Sequence, residues 1–164
     1  MSFTAEQPVA GLVIYQPRRG FRYGAEAFWL AGFALEGVGD VAGAVEAVLD
    51  LGTGSGVVAG LFAARGARAV GVDVRAEWRP LWRKSLEESA VPGSLELRLQ
   101  DVRDLHGVEF PMVVSNPPFF PRNTGPVSPD PWKAAARTEG TATLAEFVAT
   151  SARCLSSLGS ACWV

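Results

Sequence analysis

Seven consecutive residues, Asp50-Leu51-Gly52-Thr53-Gly54-Ser55-Gly56, constrain the fold of this 164-residue chain more than any other feature. Three glycines at alternate positions follow a short apolar run at 47–51 and precede a helical pattern at 57–65 that Gly66 stops. A strand that turns at once into a helix needs such residues, because glycine accepts backbone angles and close approaches that a Cβ forbids. The helix start beyond the turn carries backbone N–H groups without intrahelical partners. A nucleotide-like ligand is expected against it.

The rest of the chain repeats the same alternation. Apolar runs predict strands over 12–16, 69–74, 95–99, 112–115 and 160–164. Helical patterns occupy 25–35, with Phe28, Trp29, Phe33 and Leu35, then 76–90 and 143–158. Gly37, Gly39 and Gly43 break the chain after the first helix, and Val91, Pro92 and Gly93 end the helix at 76–90, where Pro80 is tolerable only in the first turn. Strand, helix and strand follow one another without hairpins. The expected fold class is therefore α/β, a Rossmann-like and mostly parallel sheet with helices on both faces and its ligand beyond the carboxyl ends of the strands. Two parts are expected: an N-terminal, substrate-side segment at 1–46 with one short strand and one helix, and a cofactor-binding core at 47–164.

Composition narrows the function. A hydrophobic share of 48% over this length suits one domain with a sizeable core. No stretch approaches the roughly 20 apolar residues of a membrane helix, and residues 1–10 lack the layout of a signal peptide, so a cytoplasmic protein without membrane contact is expected. Cys154 and Cys162 stand apart from each other and from any His cluster, which predicts reduced thiols and no metal site. His106 reads as a turn or packing residue. The net charge of -2 opposes a broad basic face for nucleic acid. Cations instead fall in groups: Arg75, Arg79, Arg83 and Lys84 suit a solvated helix, while Arg18, Arg19 and Arg22 suit either phosphate contacts at the mouth of a site or surface and helix packing.

Two acidic residues develop the ligand reading. Asp73 ends the second core strand about twenty residues past the glycine turn, where a carboxylate accepts from both ribose hydroxyls, and Val74 follows it. Asp101 and Val102 lie beyond the third strand, placed to meet an adenine amino group and ring. A dinucleotide fingerprint would read Gly-x-Gly-x-x-Gly, but the third glycine comes one residue early, and no Gly-Lys-Ser/Thr follows to make a phosphate loop. Residues 49–56 resemble the first motif of class I methyltransferases, with Asp50, Gly52, Gly54 and Gly56 in its key positions. Asp73 and Asp101 match that family's next two cofactor positions. The resemblance implies S-adenosyl-L-methionine as cofactor.

Ser115-Asn116-Pro117-Pro118-Phe119 ends the fourth core strand. An exocyclic amine on an aromatic ring holds its lone pair in the π-system and is a poor nucleophile. If the Asn116 side-chain oxygen and the Pro117 carbonyl each accept an N–H, the amine pyramidalises and its lone pair turns toward an electrophilic methyl. Pro117 and Pro118 fix φ and so hold the carbonyl in advance, and Phe119 offers a face to a flipped-out base. The motif resembles the Asn/Asp-Pro-Pro-Tyr/Phe/Trp signature of amino-nitrogen methyltransferases that act on adenine, guanine or protein glutamine. Asn116, Pro117, Pro118 and Phe119 are the implied catalytic residues.

Residues 15–27 narrow that choice. Tyr15-Gln16-Pro17-Arg18-Arg19-Gly20-Phe21-Arg22-Tyr23-Gly24-Ala25-Glu26-Ala27 resembles the N-terminal motif of the tRNA1(Val) (adenine-N6)-methyltransferase family, as Ala136-Arg137-Thr138-Glu139 resembles its later Ala-Arg-His-Glu stretch. Glu26, Thr138 and Trp29 stand where that family has Asp, His and Leu. The resemblance implies methylation of adenine N6 in RNA, tRNA near the anticodon being favoured. Release-factor glutamine and rRNA guanine-N2 methylation stand as alternatives, as does a binding module without turnover. The Pro- and Gly-rich stretch 120–133 reads as a substrate-side lid, in which Trp132 either stacks on a base or anchors the loop. Class I methyltransferases usually continue past a fifth core strand, so the sheet reads as truncated there, with an open edge that invites self-association.

Overall fold

The computed structural model describes residues 2–20, 22–37, 45–117 and 142–164. Its centre is a five-stranded sheet made of β3 (Ala47–Leu51), β4 (Arg68–Asp73), β5 (Ser94–Leu99), β6 (Phe110–Ser115) and β7 (Leu155–Trp163) in the order β5-β4-β3-β6-β7. Every pairing in it is parallel. β3 is buried at all five positions, as a central parallel strand covered on both faces must be. The helices α1 (Ala25–Gly37), α2 (Val57–Ala63), α3 (Arg79–Glu88) and α4 (Leu144–Cys154) lie outside it. A short 3₁₀ turn at Ala76–Trp78 leads into α3, and Pro80 falls in the first helical turn, where its missing N–H costs nothing.

Two features depart from the sequence reading. The first is a hairpin: β1 (Phe3–Val9) pairs antiparallel with β2 (Leu12–Pro17), where no hairpin was expected. Gly11, at φ 79°, supplies the left-handed backbone of its turn, and Glu6 and Pro8 hide the strand in a simple apolar scan. Secondly, the last helix stops at Cys154 instead of 158, and β7 starts at Leu155, opposite Phe110. The strand then bulges until Ser160 pairs with Met112; Gly159 lies within that bulge, where an added Cβ would stand 3.1 Å from the Phe110 and Pro111 carbonyl oxygens. α1 buries Leu30 with the small residues Ala27, Ala31 and Ala34, and leaves Trp29 and Phe33 two-thirds exposed. Small residues there let α1 approach the fully buried α2.

The hairpin is tied to α3 as well as to the core. Leu12 and Ile14 are fully buried, each such side chain stabilising by about 1.5–3 kcal/mol. On the other side of β2, the N–H of Val13 donates to Ser89 Oγ at 2.9 Å and that of Tyr15 to Ser85 Oγ at 2.8 Å. Two hydroxyls one helical turn apart thus stand in for a neighbouring strand. Ser85→Ala leaves the Tyr15 N–H without its acceptor, and a stability loss of about 1–3 kcal/mol is expected in urea unfolding. Among the described residues no helix is long and apolar enough to cross a membrane. Cys154 and Cys162 are free thiols whose pKa burial pushes up.

Candidate active site

One row of paired residues crosses the whole sheet: Arg98, Val72, Leu51, Ser115 and Trp163. Because the strands are parallel and in step, the next residue of each emerges at a common level. Those residues are Leu99, Asp73, Gly52, Asn116 and Val164. The glycine turn, the first acidic residue and the Asn-Pro motif therefore share one end of the sheet, with Asp73 at the end of β4 and Asn116 just past β6, the strands that flank β3 on either side.

The turn is built on left-handed backbone. Gly52, Gly54 and Gly56 have φ of 71°, 55° and 85°, which side-chain-bearing residues rarely adopt. Thr53 N donates to Val72 O at 2.9 Å, fixing the turn to β4, and Gly71 leaves room for it, since a Cβ there would stand 2.5 Å from Thr53 Oγ1. Gly52 faces α4, with Phe147 3.2 Å from the position of an added Cβ.

Asp50 lies beneath the turn and is buried. Its Oδ2 accepts from Thr53 Oγ1 at 2.6 Å and from Ala59 N at 3.3 Å. Burial pushes its pKa up to about 6, against the two hydrogen bonds, which favour the charged form. A folded-state pKa above the unfolded value means the folded chain binds the proton more tightly. This group's stabilising contribution is thus present below the ordinary carboxylate range and is lost as pH rises through about 6. The displacement corresponds to about 3 kcal/mol. The stability difference between Asp50→Asn and wild type should therefore move in the variant's favour from pH 4 to pH 7 and be flat above it, which urea unfolding across that range reads directly.

Asp73 is nearly buried and already serves the protein. Its Oδ2 accepts from Gly54 N at 3.0 Å, and its Oδ1 from Arg75 N at 2.9 Å and Arg75 Nε at 3.4 Å. A carboxylate offers about four lone-pair sites, so capacity for a further hydroxyl donor remains beside the long Arg75 contact. Asp101 lies two residues past β5, where it caps a 3₁₀ turn at Val102–Asp104. Arg103 meets its carboxylate through Nε at 2.9 Å and Nη2 at 2.6 Å, which holds it below the usual carboxylate range. Val74 is exposed, whereas Val102 is buried in the core beside α4, whose Thr150 Oγ1 donates to the Val102 carbonyl at 3.1 Å.

Asn116 is half-buried and Pro117 buried. The residue before them is clamped from two sides: Ser115 Oγ donates to Leu51 O at 2.7 Å, and Ser115 O accepts from Val164 N at 3.3 Å. Leu51 directly precedes Gly52, so one buried hydroxyl locks the Asn-Pro motif to the glycine turn. Pro118 and Phe119 lie outside the described residues, as do Trp132, the 120–133 stretch and Ala136-Arg137-Thr138-Glu139.

The arginines of the N-terminal segment are partly committed to the hairpin. Arg18 Nε donates to Phe3 O at 3.1 Å, and Arg22 pairs with Glu6, which also accepts from Tyr23 Oη at 2.8 Å. Arg19 is exposed. Sequence reasoning missed Thr53 and Ser115, whose hydroxyls fix the two motifs, and Trp82, whose indole reaches Gly54 O at 2.8 Å. For Trp82 the signal existed: Trp78, Leu81, Trp82 and Ser85 form one buried helical stripe, and a buried indole requires an acceptor. Among the described residues, no group of three or more His, Cys, Asp or Glu could hold a metal ion.

Comparison with known proteins bears on the family and the fold. The family described as "Methyltransferase small domain" matches residues 40–164. The tRNA1(Val) (adenine(37)-N6)-methyltransferase of Shewanella amazonensis is 36% identical over 100 residues, covering 58% of this chain and 42% of that protein. Its counterpart in Aeromonas salmonicida is 31% identical over 117 residues, covering 68% and 48%. The chain thus spans about half the length of the curated relatives it matches. Among solved structures, the T. thermophilus 16S rRNA N2 methyltransferase in complex with AdoMet and guanosine superposes with a TM-score of 0.61 at 24% identity, over 84% of this chain and 40% of that one. Trm5b from Pyrococcus abyssi gives a TM-score of 0.63 at 15% identity, over 98% and 40%. Both show the Rossmann-like class I fold.

Proposed function

The chain belongs to the methyltransferase small domain family, and from that premise we propose that its strand-end site binds S-adenosyl-L-methionine and directs methyl transfer to the exocyclic N6 amine of an adenine in RNA, with tRNA near the anticodon the favoured target. The observation that carries the reading is the common level of Gly52, Asp73 and Asn116 at the carboxyl end of the sheet, held by the Ser115–Leu51 and Asp73–Gly54 hydrogen bonds. The residues fit the cofactor chemically. Glycine backbone that leaves no room for a Cβ stands beside the Asp73 carboxylate, and Asp101 follows the next strand of the sheet, two carboxylates suited to hydroxyl and amino donors. Gly52, Gly54 and Gly56 would line its methionine and ribose portions over Asp50, Asp73 would take the ribose, and Asp101 with Val74 the adenine. Val102 contributes from below, as a core residue that sets the Asp101 turn.

The cofactor, when bound, supplies an electrophilic methyl on sulfur. The chain supplies the rest. Asn116 Oδ1 and the Pro117 carbonyl accept the two amine hydrogens, which draws the nitrogen lone pair out of the ring plane. Pro118 keeps the carbonyl aimed, and Phe119 stacks on the base. One amine proton leaves to solvent after transfer, so no strong base is needed. Arg18, Arg19 and Arg22 guide phosphates at the mouth of the site, Arg19 first because the other two bond within the hairpin. Residues 1–46 act on the substrate side and 47–164 on the cofactor side, in the cytoplasm.

The test is transfer of labelled methyl to bulk tRNA, bulk rRNA and a release factor. Label in tRNA that digests to N6-methyladenosine is expected. Label confined to protein or to guanine would overturn the adenine assignment.

A further inference from the structure

Gly54 is held through both of its peptide groups. Its N–H donates to Asp73 Oδ2 at 3.0 Å, and its carbonyl accepts from Trp82 Nε1 at 2.8 Å across 28 residues of sequence. The two bonds restrain different planes: Asp73 fixes the 53–54 peptide, and the indole fixes the 54–55 peptide. In a trans peptide the C=O and N–H point in opposite directions, so a carbonyl turned toward α3 sends the Ser55 N–H the other way. Gly54, at φ 55°, has the backbone freedom to let that plane rotate if nothing holds it.

The indole itself has little room to move. Trp82 is 3% exposed and shares a buried cluster with Trp78 and Leu81, against which Tyr15, Leu97 and Leu99 pack. Further along the same helix Ser85 and Ser89 bind the β2 backbone, and Ala90 N donates to Gly11 O at 2.7 Å. α3 is thereby braced on the hairpin at one end while it holds the glycine turn at the other.

We infer that Trp82 is a positioning residue for the cofactor, its indole N–H fixing the plane of the 54–55 peptide and so the direction in which the turn presents its backbone groups to the ligand. This rests on the reading that the turn binds S-adenosyl-L-methionine. Packing alone would not need the N–H: Trp82→Phe keeps an aromatic ring in the cluster and removes only the donor and part of the ring volume.

The experiment is calorimetric titration of S-adenosylhomocysteine into the wild-type chain, Trp82→Phe and Leu81→Ala. Leu81 lies in the same cluster, so its truncation loosens α3 without touching Gly54. Trp82→Phe is expected to raise Kd about tenfold, the effect of one lost hydrogen bond to a buried carbonyl. Leu81→Ala should lower the thermal midpoint at least as far and leave Kd within about twofold. Unchanged affinity in Trp82→Phe, or equal weakening by Leu81→Ala, overturns the inference while the cofactor reading stands. No binding by the wild type overturns that reading and the inference with it. A second measurement needs no variant: the Trp82 indole N–H resonance should shift on saturation with S-adenosylhomocysteine while that of Trp78 stays in place, and a stationary Trp82 signal refutes the role.

Discussion

Asn116→Ala is expected to slow methyl transfer by about 100- to 1,000-fold, the usual loss when one preorganised hydrogen-bonding group is removed from the reacting centre. Affinity for S-adenosylhomocysteine should stay within about twofold, because Asn116 lies on β6's side of the turn and bonds none of Gly52, Gly54 or Asp73. Single-turnover rates on tRNA beside a calorimetric Kd separate the two effects. Asn116→Asp keeps an acceptor oxygen and should retain far more activity than the alanine variant. Equal rates for wild type and alanine variant would rule out amine activation by this residue.

The second large effect is expected at Asp73. Its carboxylate holds Gly54 N–H and Arg75, and in the proposed reading it also takes a ribose hydroxyl. Asp73→Ala removes an acceptor from the ligand and releases the 53–54 peptide at the same time. Two hydrogen bonds to a charged group are each worth about 1.5–3 kcal/mol, so Kd for S-adenosylhomocysteine should rise on the order of 100-fold or more. Stability should also fall by about 1–3 kcal/mol, since the Gly54 N–H is left buried without a partner. Asp73→Asn keeps one acceptor oxygen and should restore most of the stability but little of the affinity. Undiminished binding by the alanine variant would mean the ligand sits elsewhere on the sheet end.

Much of this architecture was legible in the chain itself. Residues 47–51 and 112–115 read as strands from their short apolar runs, which suit a parallel sheet covered on both faces, and Gly52, Gly54 and Gly56 read as a turn because glycine allows a close approach that a Cβ forbids. The β1 strand was illegible for the opposite reason. Its residues alternate between exposed and half-buried, and only its pairing with β2 makes it a strand. The end of α4 was set in the same non-local way, by the pairing of Leu155 with Phe110.

The sequence by itself determined which residue types stand at the strand ends, because period, glycine placement and the chemistry of carboxylate, amide and proline are local properties. Only the tertiary structure decided how they are aligned and what else they are bonded to. Parallel register places Gly52, Asp73 and Asn116 at one level, and three contacts join segments far apart in the chain: Ser115 to Leu51, Trp82 to Gly54, and Ser85 to Tyr15. The partner each donor finds has no local signature. Such contacts arise because a buried donor must find an acceptor, and which acceptor is near depends on the packing of the whole domain.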